Sequence, residues 1–337
     1  MREQSTRALK IIAALGVLTF IFLLLASLAL RKSLGPDTRQ RVRIRQQYSP
    51  FDAKRALEDI EAIVELGPRP PGSEAAAGEL AHIAKELTAA GVSHTRIPLP
   101  DENARAGAPN PEEADAAFDA LVADVQGTES EKLLLVTGYG TPVVRAADFV
   151  GAHATASGSA WLLELARTQE KTRKGYTLLL AWVPETGPPD NEKRPPGGDL
   201  LAKAFAKLGV MNEIAAVLEV DAIGDCYLQV RPDANAPEWL WGIVRDTARR
   251  LGYRHHFTTG PLDNAHHLTA LRQAGLPALA LRDAFFGGSA LAHNDLWHTG
   301  ADTLDKVCPA SLQAIADVFY HALPAIEGHL TTRERAR

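Results

Sequence analysis

Residues 176–221 read YTLLLAWVPETGPPDNEKRPPGGDLLAKAFAKLGVMNEIAAVLEVD. Two short apolar runs, Tyr176 to Val183 and Ala215 to Asp221, bracket a helical stretch from Leu200 to Leu208. Continuous apolar runs of this length are typical of strands buried on both faces, and a helix between two of them predicts a parallel crossover unit. The same alternation extends in both directions. Upstream lie a strand-like run from Phe118 to Val125, a buried run from Leu133 to Val136 and a helix from Ala160 to Arg167. Downstream lie a helix from Trp239 to Leu251 ended by Gly252, a strand from Pro277 to Leu281, and a helix from Ser311 to Leu323. This pattern predicts an α/β fold with a mostly parallel central sheet and helices on both faces. Phe51 to Ala90 reads as helix, loop and helix, broken at Leu66 to Ser73 (LGPRPPGS). Asp101 to Asp115 reads as a surface loop.

With 46% hydrophobic and 23% charged residues, the 337-residue chain has an ordinary globular composition, which excludes disorder and low complexity for most of its length. The net charge of −5, with no basic stripe in the folded part, excludes a nucleic-acid partner. Ile11 to Leu30 is uncharged and bounded by Lys10 and Arg31-Lys32. About 20 apolar residues span a bilayer, so this stretch is expected to be a single transmembrane helix; a cleaved signal peptide, normally with a shorter apolar region, is the alternative.

The expected layout is a tail at 1–10, an anchor at 11–30, a basic juxtamembrane linker at 31–50, a folded domain at 51–330 and a tail at 331–337. Counting Arg2, Arg7 and Lys10 against Arg31, Lys32, Arg39, Arg41, Arg43 and Arg45 would place the domain in the cytoplasm. Large domains translocate despite such charges, so the count leaves the side open, and an extracytoplasmic domain is expected. Cys226 and Cys308 make neither a disulfide framework nor a cysteine-rich metal site and are read as free thiols.

In such sheets the chemistry sits beyond the carboxyl ends of the strands. Those positions hold Gly138-Tyr139-Gly140, Glu185-Thr186, Asp221, and the loop leading to Trp297-His298-Thr299. Glu185, Asp221 and His298 are therefore expected to converge, with His153 and Trp297 at the same pocket.

Together with Gly151-Ala152-His153-Ala154-Thr155-Ala156-Ser157-Gly158, and Asp302-Thr303-Leu304-Asp305-Lys306-Val307 after His298, these pieces resemble the zinc aminopeptidase and glutaminyl cyclase family, metallopeptidase family 28. The resemblance covers roughly Phe51 to Leu330. It implies zinc as cofactor, peptide N-termini as substrates and a carboxylate that moves the proton. Carried over by position, the proton-transfer role falls on Glu185, and Asp221 and His298 keep metal-ligand positions. The other ligand positions fall on Gly138, Ala154 and Thr186. His153 is the candidate substitute ligand, with His266 or His267 in a rebuilt site as a further alternative. Trp297 and His267 fall where relatives line the substrate pocket.

Two functions follow. One is a membrane-anchored enzyme acting on peptide N-termini. The other is a non-catalytic relative that binds a peptide or protein partner, because three of five ligand positions are substituted and catalytic zinc usually takes three protein ligands.

Overall fold

The computed structural model describes residues 49–99, 118–144, 146, 148–169, 173–186, 195–260, 266–287 and 295–335. The expected anchor, most of the linker and the Asp101 to Asp115 loop lie outside these residues. Among those described, no helix is long and apolar enough to cross a membrane.

Among the described residues, six strands form one sheet in the order β1-β2-β4-β3-β5-β6: β1 Ser93–Leu99, β2 Phe118–Val125, β3 Lys132–Tyr139, β4 Thr177–Pro184, β5 Ile214–Asp221 and β6 Ala278–Arg282. The four strands from β4 to β6 in that order run parallel, while β1 and β2 add an antiparallel edge. The sheet is thus mixed, with the expected parallel part at its centre. β1 escapes a reading of apolar runs because only Leu99 in it is buried. It is a polar edge strand, and Pro98 sits where a missing N–H costs least.

Seven α-helices are described: α1 Ala53–Val64, α2 Glu74–Ala89, α3 Ser157–Arg167, α4 Gly197–Leu208, α5 Glu238–Leu251, α6 Thr269–Gln273 and α7 Pro309–Arg335. Asp52 caps α1 by accepting from the N–H groups of Lys54 and Arg55, and Ser73 caps α2 by accepting from that of Ala76. α1, α2, α3, α5 and α7 cover one face of the sheet, around the fully buried Trp161 and Trp182. α4 and α6 cover the other, packing Leu201, Phe205 and Leu271 against Val136, Val183 and Val217. α7 runs past the expected end at Leu323. Pro324 interrupts one backbone bond, but Ile326 and Leu330 stay buried, so their packing carries the helix on through most of the expected tail.

The cysteine reading is corrected. Cys226 and Cys308, 82 residues apart, form a disulfide. The loop after β5 and the segment before α7 meet through the Cys308 N–H donating to the Gly224 carbonyl at 2.8 Å and a bridge between Asp225 and Val307. Only this tertiary meeting, invisible in the spacing of two isolated cysteines, brings the sulfurs together.

Candidate functional site

β3 is flanked by β4 on one side and β5 on the other, so the chain order reverses here and leaves a crevice at the carboxyl ends. Gly138 lies at its floor. A Cβ built on it would meet Glu185 Oε2 at 2.9 Å, His267 Nε2 at 3.4 Å and Asp221 Oδ1 at 4.0 Å. The absence of a side chain at 138 is therefore what lets three ionisable groups from three segments share one space.

Glu185 follows β4 and is fixed by its N–H donating to the Tyr139 carbonyl at 2.9 Å. Its Oε2 lies 3.3 Å from His267 Nε2. The Gly198 N–H points at His267 Nδ1 at 3.3 Å, so in the neutral ring Nδ1 accepts and Nε2 carries the proton toward Glu185. Burial lowers the pKa of His267, but the Glu185 hydrogen bond and the charges of Glu185, Glu219 and Asp221 outweigh burial and raise it to about 9. His267 is thus the charge partner of Glu185, beyond the lining role the resemblance implies.

Asp221 ends β5, and its neighbour across the ladder is Arg282 at the end of β6. Arg282 Nη2 lies 4.0 Å from Asp221 Oδ2, and both side chains are buried. Burial pushes Asp221 up to about 7; Arg282 opposes this, while Glu185 and Glu219 reinforce it. Glu219, two residues earlier on the same strand face, is fully buried with neither carboxyl oxygen hydrogen-bonded, and burial raises its pKa.

The far wall is aromatic. The guanidinium of Arg282 sits 5.3 Å from the Trp297 ring centre. Trp297 stacks on His298 at 4.8 Å, and Phe149 meets His298 edge-on at 5.5 Å. His298 holds a left-handed backbone at φ 56, as does Ala222 beside Asp221 at φ 47. Such conformations cost about 1–3 kcal/mol and cluster at functional sites. Burial lowers the pKa of His298.

His153 lies in a π-helical turn, Ala152–Ala156, whose His153 and Ala154 N–H groups donate to the Asp302 carboxylate. Its ring stacks on Phe286 at 4.0 Å and meets Trp297 edge-on at 6.1 Å. Both ring nitrogens are buried without a hydrogen-bond partner, and burial depresses the pKa to about 3. Of the sequence-predicted residues, Glu185, Asp221 and His267 gather over Gly138, while Trp297 and His298 form the adjoining wall, with the fully buried His153 packed behind Trp297. Sequence reasoning passed over Arg282 and Glu219. The signals were the position of Arg282 at a strand end and the Glu219-x-Asp221 spacing, which puts both carboxyls on one face.

Peptidase family M28 matches residues 120–323. The chain belongs to this family. A glutaminyl cyclase from an Acidobacteriales bacterium is similar in structure, with a TM-score of 0.71 at 24% identity, over 84% of this chain and 98% of that one. A leucine aminopeptidase precursor from Bacteroides thetaiotaomicron gives 0.67 at 18%, over 81% and 96%. A Zn-dependent exopeptidase from Parabacteroides distasonis gives 0.65 at 19%, over 80% and 96%. No curated protein matches.

Family membership implies zinc in general, and the donor set of this chain does not fit it. Gly138 has no donor, and Ala154 offers a methyl group. The Thr186 hydroxyl donates to the Pro195 carbonyl at 2.8 Å. Asp221 faces a guanidinium, and the candidate substitute His153 is enclosed between Phe286 and Trp297.

Proposed function

We propose that this M28 protein is a membrane-anchored receptor for peptide amino termini that binds without hydrolysing or cyclising them. The supporting observation is the composition of the pocket over Gly138. Glu185 supplies a partly exposed carboxylate for an ammonium group, Asp221 being taken up by Arg282, while donors at three of the five family zinc positions are replaced. Without a Lewis acid, nothing in the pocket lowers the pKa of water or polarises a scissile carbonyl strongly enough for hydrolysis. What remains is recognition: the Glu185 carboxylate as acceptor for the N-terminal ammonium, and Trp297 and His298, backed by the buried Phe149, for the first side chain.

The Ile11 to Leu30 segment would tether the domain, and the Cys226–Cys308 disulfide favours the extracytoplasmic side, where such bonds persist. Calorimetric titration with short peptides tests the reading. Free N-termini should bind, N-acetylated peptides should not, and Glu185→Gln should weaken the former. Zinc-dependent release of an N-terminal residue or of pyroglutamyl peptide by the unmodified protein would overturn it.

A further inference from the structure

We infer that Arg282 stands in for the metal ion of the family as the fixed cation of the pocket. Arg282 lies opposite Asp221 in the β5–β6 ladder, and its Nη2 is 4.0 Å from Asp221 Oδ2. Its side chain is 6% exposed. The guanidinium carbon lies 5.3 Å from the ring of Trp297, whose neighbour is His298. One guanidinium therefore reaches from one retained zinc-ligand position, Asp221, to the residue beside the other, His298.

Removing donors at 138, 154 and 186 would by itself leave the buried Asp221 with only His267, already paired with Glu185, as a counter-charge, a costly arrangement. A guanidinium at 282 supplies that charge, and it stays protonated at any working pH. It takes over two tasks of a metal: neutralising the inner carboxylate and presenting a positive charge with N–H donors toward an oxygen of a bound ligand. It cannot take over the third, generating a hydroxide nucleophile, which needs a Lewis acid. The same cation repels any divalent ion offered to the pocket.

This inference rests on the zinc-free reading above. Its readouts are metal uptake and stability coupling, so it and peptide binding can fail separately. The full chain is prepared as Ala154→Asp/Thr186→Glu, with and without Arg282→Gln, and titrated with zinc chloride; cobalt absorption reports the coordination. Removing Arg282 should tighten zinc binding by roughly 10–100-fold, the size of effect known for groups next to metal ligands. Equal affinity with Arg282 present, or no uptake in either variant, would overturn the inference.

A second measurement needs no restored ligands. Arg282→Gln should lower the thermal midpoint, and adding Asp221→Asn should recover at least half of the loss, because the unpaired carboxylate is gone. Additive losses in the two substitutions would equally overturn it.

Discussion

Glu185→Gln should shift the titration of His267 downward while leaving the fold intact. The Glu185 hydrogen bond is the largest of the influences that raise His267 from an ordinary 6.5 to about 9 against burial. At about 1.4 kcal/mol per pKa unit, that rise corresponds to at most about 3 kcal/mol of preference for the charged ring, and the Gly198 N–H, which loses its acceptor Nδ1 when the ring is charged, reduces it. Glu185 supplies a large share, since the charges of Glu219 and Asp221 remain after substitution and their carboxyls are themselves raised by burial.

The sign follows from a folded pKa above the unfolded one. The stabilisation is complete below about pH 6.5 and is lost as pH rises through about 9. Glu185→Gln should therefore lose stability chiefly below about pH 7 and converge on the unmodified protein above about pH 9. Nitrogen-15 NMR of the imidazole measures the midpoint directly, and urea unfolding at pH 6 and pH 9.5 measures the linkage. When neutral, the ring should report the Nε2–H tautomer, because Nδ1 faces the Gly198 N–H. An unmodified His267 titrating near 6.5, or a midpoint unmoved by Glu185→Gln, would refute the assignment of Glu185 as its charge partner.

Arg69→Met should cost about 3–5 kcal/mol in urea unfolding, because it strands Glu79, which is buried with Arg69 in a 2.7 Å pair. His153→Phe should be near neutral at pH 7 and stabilising at pH 5. The folded ring stays uncharged to about pH 3 while the unfolded one protonates below 6.5, so stability is lost as pH falls through that window; a lower melting midpoint than the parent at pH 5 would contradict this. Cys226→Ser with Cys308→Ser should lower stability by about 2–5 kcal/mol. Thiol counting on the unmodified protein after denaturation without reductant should find no free cysteine.

The sequence predicted the centre of the fold well because buried parallel strands leave short uninterrupted apolar runs. β3, β4, β5 and β6 all fall where such runs were read. The edge did not show, because β1 faces solvent along most of its length and carries no such run. Glu185 and Asp221 were legible because they follow β4 and β5, and they do lie together over Gly138; His267, which joins them, comes from the turn His266–Leu268 before β6 and was named only through the resemblance. Arg282 was not legible as a partner of Asp221, because their pairing is a matter of register between β5 and β6, some 60 positions apart in the chain. Glu219 was masked by its own apolar run, Ala215 to Val220, in which a single carboxyl looks like an accident until its face of the sheet is known.

The bond between Cys226 and Cys308 also changes what a cut in the chain would mean. The segment it closes contains α5, α6, β6 and the Trp297–His298 corner. A protease that severs any one peptide bond between the two cysteines cannot release a fragment. Both ends of the break stay attached through sulfur, and the nicked molecule migrates at full mass until a reductant is added. In the extracytoplasmic setting proposed above, that loop would tolerate one wound with the Asp221 strand and the His298 corner still on the same molecule.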